Sequence, residues 1–322
     1  MIAVPDISVV VPVYNEEDSL PVLYREVRET LEAAGKTFEI LFVDDHSTDT
    51  SLRVMLALRA EDSRVRVVHF RRNFGQTAAL AAGFEHTRGA IVITMDGDLQ
   101  NDPRDIPALI ARIEEGADIV AGWRKDRKDG WLLRRVPSQT ANRLIAYVTD
   151  TPIHDTGCTL KAFRSQLVKH LTIYAEQHRF LPAMSRGSGA RIAEIVVNHR
   201  PRRFGKSKYG IERALRVLLD LFVIKLISQF AHRPLHFFGL FTLPFGAFSA
   251  FVLFTGTVDL RNMRLDAEWL PAVFMTVMLF VLLSIYFLML GLLSELVVTA
   301  SGMHRRGVLE RFVAISGRGG RA

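Results

Sequence analysis

Three short acidic clusters in this chain have spacings suited to chemistry. Asp96-Gly97-Asp98 sets two carboxylates one residue apart, with a glycine between them, at the end of the β-branched run Ala90–Met95. Two such oxygens can face one hard cation, Mg2+ or Mn2+, which commonly completes its shell with substrate phosphates. An ion placed there would neutralise charge on a departing diphosphate. The plain alternative is an Asp-capped turn. Asp44-Asp45 closes a second apolar run, where two acids are either solvated loop charges or acceptors for a base imide or ribose hydroxyl. Val11-Pro12-Val13-Tyr14-Asn15-Glu16-Glu17 ends a third run with a proline-fixed turn, an aromatic ring and two acids. Alone it is an ordinary strand-to-helix turn; beside a nucleotide, its backbone and Tyr14 could hold a base.

Basic residues form the other half of the chemistry. Arg124 and Arg127 follow a predicted strand, Arg134 and Arg135 lie in a loop or helix start, and Arg200, Arg202, Arg203, Lys206 and Lys208 cluster further on. A polybasic patch drawn to anionic lipid is one reading. The other is that arginine forks grip a phosphate, and Gly205 and Ser207 favour a phosphate-cradling loop. Nucleic acid is a poor partner: no binding motif is present and the acids crowd the same region. His46, His154 and His178 read as structural, since no two share a helical ligand spacing with an acid. Cys158 is the single cysteine of the 322-residue chain, so neither an intrachain disulfide nor a cysteine zinc site is expected. It reads as a small buried residue, and the composition suits a reducing, cytosol-facing compartment.

The elements that must position these groups alternate. Strands are predicted at Ile7–Val13, Phe38–Val43, Val65–Phe70, Ala90–Met95 and Asp118–Gly122. Helices are predicted at Ser19–Ala34, Thr50–Ala60 after a Ser47-Thr48-Asp49 start, Gln76–His86 and Ile106–Glu115. That order implies a doubly wound, Rossmann-like α/β domain. In such sheets ligands bind beyond the carboxyl ends of the strands, which puts Tyr14–Glu17, Asp44–Asp45 and Asp96–Asp98 on one rim.

The rest of the chain is different. Pro234–Val258 and Trp269–Ser294 contain no Asp, Glu, Lys or Arg. Each is long enough to cross a hydrocarbon core of about 30 Å, and the short Asp259–Glu268 link makes them a transmembrane hairpin rather than two soluble core helices. Residues 211–233 mix apolar side chains with scattered charges and read as an amphipathic helix in the interface or docked on the soluble domain. Residues 295–322 read as a tail, its Gly/Arg-rich end disordered. Met1–Val13 has no basic n-region and Asp6 interrupts its apolar run, so no signal peptide is expected there. Arg213, Arg216, Lys225 and Arg233 before the hairpin, and Arg305, Arg306 and Arg311 after it, place the α/β domain and both ends on the cytoplasmic side. The net charge of +7 agrees with a phosphorylated or anionic-lipid partner.

Taken together, residues 11–17, Val-Asp-Asp-His-Ser-Thr-Asp (43–49), Arg-Asn-Phe-Gly-Gln (72–76) and Met-Asp-Gly-Asp-Leu-Gln-Asn-Asp-Pro (95–103) resemble the family 2 glycosyltransferases of GT-A fold. Within them the chain is similar to the polyprenyl-phosphate glycosyltransferases: dolichol-phosphate mannose synthases, bactoprenol glucosyl transferases and undecaprenyl-phosphate aminoarabinose transferases. The resemblance implies nucleotide binding by Pro12, Tyr14, Glu16, Asp44 and Asp96, and a metal and diphosphate site at Asp96, Asp98 and Gln100. It implies an acceptor-side base at Asp155, in His-Asp-Thr-Gly-Cys (154–158), and phosphate contacts from Arg202, Gly205, Ser207 and Lys208. Arg124, Arg134 and Ser138 complete the candidate acceptor and diphosphate set. Asp98 and Asp155 are the expected catalytic pair. Two departures stand out: Gly97 where many relatives have alanine, and Asn101-Asp102 where they often carry His-Pro or Asn-Pro.

The activity implied is inverting transfer of a sugar from a nucleotide sugar to a polyprenyl phosphate, with a UDP-sugar such as UDP-glucose favoured over GDP-mannose. A membrane-tethered nucleotide-sugar scaffold is the non-enzymatic alternative. A processive polysaccharide synthase is disfavoured by the short hairpin and by the lack of a Gln-x-x-Arg-Trp motif after Asp155. The hairpin could support a homo-oligomer.

Overall fold

The structure is a computed structural model and describes residues 4–125, 153–169, 178, 180–186, 189–201, 234–261 and 267–300. The interfacial helix expected over 211–233, the tail beyond 300, and Arg127, Arg134, Arg135, Ser138, Arg202, Arg203, Gly205, Lys206, Ser207 and Lys208 lie outside the described residues. The chain divides into two compact units, Met1–Ile224 and Lys225–Ala322.

In the first unit, β1 (Ile7–Val13), β2 (Phe38–Asp44), β3 (Val65–His69), β4 (Ile91–Thr94) and β5 (Ile119–Trp123) alternate with α1 (Leu20–Ala33), α2 (Ser51–Glu61), α3 (Gln76–His86) and α4 (Ile106–Glu114). The periodicity predicts these to within two residues at each end. Strands β1 and β2 are buried along almost their whole length, as near-continuous apolar runs covered on both faces must be. Helix α1 buries Leu20, Leu23, Tyr24, Val27 and Leu31, a 3.6-residue stripe laid on the sheet. Helix α3 comes so near the sheet that a Cβ on Gly83 would stand 2.3 Å from Val10 Cγ1. Glycine is what allows that approach.

The sheet is not purely parallel. After β5 come β6 (Lys161–Arg164), the short helices α5 (Ser165–Val168) and α6 (Leu181–Arg186), and β7 (Ile192–Val196), none of which the sequence pattern predicts. The strand order is β3-β2-β1-β4-β6-β5-β7. Strand β6 runs antiparallel to both β4 and β5, and β5 pairs parallel with β7. Strands β4 and β5 therefore point the same way, and β6 begins on the rim where they end. An antiparallel strand thus brings the residues just before Lys161 to the rim that carries Asp96–Asp98.

The second unit is a helical hairpin, α7 (Pro234–Arg261) and α8 (Leu270–Ala300). Both helices overrun the expected 234–258 and 269–294. Reading by apolar purity stops at the first charge, whereas backbone hydrogen bonding continues past Asp259 and past Glu295, whose carboxylate accepts from Leu235 N at 3.4 Å. Hardly any of their apolar stretches is buried, unlike the core helices of a soluble domain, and both helices are long and apolar enough to cross a membrane. They close on one another through small and aromatic residues. Ser284 Oγ donates to Thr242 O at 3.0 Å, Ser249 Oγ donates to Val277 O at 3.2 Å, and Phe245 stacks on Phe287.

Candidate active site

Strands β1, β2 and β4 each end in a turn with a non-glycine residue in the left-handed region: Asn15 (φ 55°), His46 (φ 63°) and Leu99 (φ 62°). Such conformations cost on the order of 1–3 kcal/mol each and persist where surrounding contacts hold them. Asn15 is held by Thr48, whose N–H donates to its Oδ1 at 2.7 Å, and by Ser47, whose Oγ accepts from its backbone N–H at 3.0 Å. The β1 and β2 turns are thereby locked together.

Asp44 is fully buried and accepts from Ser47 N at 3.1 Å, Ser47 Oγ at 2.5 Å and the His69 ring at 2.7 Å. Asp45 accepts from Phe74 N and Gly75 N at 2.7 and 2.8 Å, which ties the Arg-Asn-Phe-Gly-Gln stretch to the rim. Burial pushes the Asp45 carboxyl up, against those two hydrogen bonds. Glu16 accepts from Ser19 Oγ at 3.1 Å, and its backbone N–H donates to Ser51 Oγ at 2.8 Å. Pro12 and Tyr14 are half-buried. A Cβ on Gly97 would meet Glu16 Cγ at 3.5 Å and Pro12 O at 3.6 Å. The β1 turn thus lies against the Asp96–Asp98 turn, and the alanine of many relatives would fit.

Asp96 is the centre of the arrangement. Gln76 Nε2, from the first turn of α3, donates to its Oδ1 at 2.7 Å. Burial, and next the Asp98 carboxylate, push Asp96 up to about 6, while the Thr159 hydroxyl and the charges of Arg124 and Lys161 pull the other way. Asp98 is 8% exposed and its Oδ1 accepts from Gln100 N at 3.1 Å. Behind Asp96 a small cavity is lined by Pro12, Gln76, Thr94, Lys161 and His178. Lys161 is 3% exposed, a rare burial for a lysine. Its ammonium donates to Thr156 O at 3.2 Å and to Cys158 O, so it binds the 155–158 turn to the strand beside Asp96.

Across the rim, Asp155 and Arg124 face each other. Arg124 Nε donates to Asp155 Oδ2 at 2.7 Å and Nη2 to Oδ1 at 3.0 Å, a fork with both partners largely buried. Asp155 raises the affinity of Arg124 for its proton in spite of burial. Glu194 of β7 holds the start of this turn, accepting from the backbone N–H groups of His154 and Asp155 at 2.9 and 3.2 Å. Burial pushes the Cys158 thiol up to about 11, so it is an inert core group. His46, His154 and His178 each have a protein partner. His46 contacts Phe70 O, His154 donates to Glu194 and stacks on Trp123 at 4.3 Å, and His178 shares a 2.7 Å hydrogen bond with Thr77.

Among the described residues no group of three or more His, Cys, Asp or Glu could hold a metal ion. The donor set is the Asp96–Asp98 pair: two hard carboxylates, Asp96 raised by burial first and by Asp98 second. That set fits a hard divalent ion that takes its remaining ligands from diphosphate oxygens and water. Sequence reading missed Gln76, Lys161 and Thr159. Gln76 sits inside a motif already marked. Lys161 shows only as a lone charge between Leu160 and Ala162-Phe163.

A mixed sheet of this order, with acids gathered at its carboxyl rim, defines a GT-A-like α/β domain. Glucosyl-3-phosphoglycerate synthase from Mycobacterium tuberculosis, solved in complex with Mn2+, UDP-glucose and phosphoglyceric acid, has this fold. Its TM-score is 0.55 at 19% identity, over 70% of this chain and 79% of that one. S. aureus TarS in complex with UDP-GlcNAc matches at TM-score 0.50 and 20% identity, over 70% of this chain and 67% of that one. In sequence, residues 8–172 match glycosyl transferase family 2, and the chain belongs to that family. It is 40% identical to dodecaprenyl-phosphate galacturonate synthase of Rhizobium johnstonii over 296 residues, 91% of this chain and 87% of that protein.

Proposed function

We propose that this chain transfers a sugar from a nucleoside diphosphate sugar to a polyprenyl phosphate at a membrane face. The observation that carries the reading is the likeness to the dodecaprenyl-phosphate galacturonate synthase, which spans 91% of the chain and so takes in more than the sugar-transferase domain. The two helices that could cross a membrane support a lipid acceptor. A UDP-sugar is the donor favoured. The same relative moves a hexuronic acid ahead of glucose as the sugar.

In the reaction, an acceptor phosphate oxygen bonds to the anomeric carbon as the bond from that carbon to the diphosphate oxygen breaks. One displacement inverts the centre and needs no glycosyl-enzyme intermediate. The acceptor phosphate is already anionic, so the protein's task is to hold two anions within reach. Asp96 and Asp98 would hold a divalent ion, Mg2+ or Mn2+, which supplies charge neutralisation for the leaving diphosphate when bound. Gln76 fixes the orientation of Asp96. The turns bearing Pro12, Tyr14, Glu16 and Asp44 would take the nucleoside. Arg124 would meet the acceptor phosphate together with Arg134, Ser138, Arg202, Ser207 and Lys208. The Arg124–Asp155 fork supports reading Asp155 as the group that aims Arg124 rather than as a proton acceptor. The catalytic domain would face the cytoplasm.

The test is purified full-length protein with polyprenyl phosphate and a panel of UDP-galacturonate, UDP-glucose and GDP-mannose, with and without Mn2+ or Mg2+. Metal-dependent release of UDP with formation of a lipid-linked sugar is expected. Donor hydrolysis without lipid product, or no turnover with any donor, would overturn the reading.

A further inference from the structure

Lys161 opens β6, the antiparallel strand between β4 and β5, and is almost fully buried there. In register it lies beside Thr94 of β4 and Ala121 of β5. Those two strands run on into the two halves of the site, β4 into Asp96 and Asp98, β5 into Arg124. The residues just before Lys161 are pinned to both strands. Thr94 Oγ1 donates to Thr159 O at 2.7 Å, and Gly122 N donates to Leu160 O at 3.0 Å. A Cβ on Gly122 would stand 3.0 Å from Cys158 Sγ, so the 155–158 turn is pressed against β5 two residues before Arg124.

Two charged side chains hold that turn. Glu194 takes its start, through the backbone N–H groups of His154 and Asp155. Lys161 takes its middle and end, through the carbonyls of Thr156 and Cys158. Hydrogen bonds from an ammonium are stronger than those from a neutral donor, and an ammonium taken from water without such partners would be costly to bury. What a lysine adds here over an apolar side chain of like length is therefore its grip on two carbonyls. Between the two anchors stands Asp155, whose carboxylate receives Arg124 Nε at 2.7 Å and Nη2 at 3.0 Å.

We propose that Lys161 is a positioning residue for the transfer: by holding the Thr156 and Cys158 carbonyls it fixes the 155–158 turn between β4 and β5, so that Asp155 keeps Arg124 aimed into the site. The assignment rests on the transferase function proposed above, in which Arg124 meets the acceptor phosphate.

The test uses the full-length chain with Lys161→Met, which keeps the length of the side chain without its donor, and Lys161→Gln, whose amide can still donate to a carbonyl. Lys161→Met should raise the KM for polyprenyl phosphate about tenfold, with donor KM within about twofold of wild type and Mn2+ binding no weaker. Lys161→Gln should recover part of the loss. A glutamine variant as impaired as the methionine one would mean that the charge matters and the grip does not, and would overturn the proposal. So would equal loss on donor and acceptor sides, weakened Mn2+ binding, or unchanged kinetics. Cys158 gives an independent reading. It is the single cysteine of the chain and is fully buried in the turn that Lys161 holds. Its reaction with dithiobis(nitrobenzoate) reports local opening of that turn. Lys161→Met should speed the reaction about tenfold and Lys161→Gln less than that. A methionine variant that reacts at the wild-type rate would refute the grip, even if its melting temperature falls. A wild-type chain that moves no sugar to polyprenyl phosphate would sink the transferase reading instead, and the grip would then stand or fall on the thiol rates.

Discussion

At the scale of single residues the site is a set of charges whose neighbours decide what each can do. Asp98, buried beside Asp96, carries the metal-site reading. Asp98→Ala should lower kcat by about a hundredfold or more and abolish Mn2+ binding measured by calorimetry, in protein with a normal far-UV spectrum. Near-normal turnover would remove the metal from the scheme. Asp96 carries a pH prediction. Its carboxyl is raised to about 6, by burial first and Asp98 second. The folded chain therefore binds this proton more tightly than the unfolded chain does. Stability from this group is greatest below the ordinary carboxylate range and declines as pH rises through about 6. Melting temperatures of metal-free protein from acid to neutral pH should show that decline, and Asp96→Asn should flatten it. Parallel curves would contradict the assignment. Much of this site could be read in the chain: Asp44, Asp96, Asp98 and Asp155 stand in motifs. What could not be read is who faces whom. Arg124 and Asp155 are 31 residues apart and meet only because β5 and β6 pair, so the acid read as a base turned out to be forked by the arginine read as a phosphate ligand.

At the scale of elements, periodicity revealed the strands β1 to β5 and the α-helices between them, because largely apolar runs such as β1, or stripes such as that of α1, advertise burial. It failed at β6. A four-residue strand with Lys161 at one end and Arg164 at the other looks like a loop. Its lysine is buried at a strand start because the carbonyls of Thr156 and Cys158 replace water around the ammonium. The contact between α3 and β1 yields a stability prediction. Gly83→Ala would force a methyl group against Val10 and should cost about 1–3 kcal/mol, seen as a lower melting temperature. Adding Val10→Ala should return part of the loss. A Gly83→Ala variant as stable as wild type would mean the helix can shift away from the sheet freely.

At the scale of the whole molecule, two units carry different tasks, and the lone cysteine makes the second one testable. Cys158 is buried in the first unit. An Asn262→Cys variant, between the two apolar helices, therefore adds one reactive reporter. If the helices cross the membrane with the catalytic domain inside, intact cells should label at this position with an impermeant maleimide. Labelling only after permeabilisation would reverse the orientation or deny the crossing. The hairpin was legible from composition alone, since two uncharged stretches of this length have few other uses. Its ends were not, because helices do not stop where charges begin.

The antiparallel strand inside the sheet also governs the order in which this protein can come into being. On the ribosome β4 and β5 emerge before the strand that must lie between them. Until Arg164 has left the exit tunnel, both expose unpaired edges, which invite association with other chains. A transcript truncated shortly after residue 125 would freeze the product at that stage. Such fragments should aggregate, whereas a nascent chain carried beyond Val196 has every strand it needs to close the sheet.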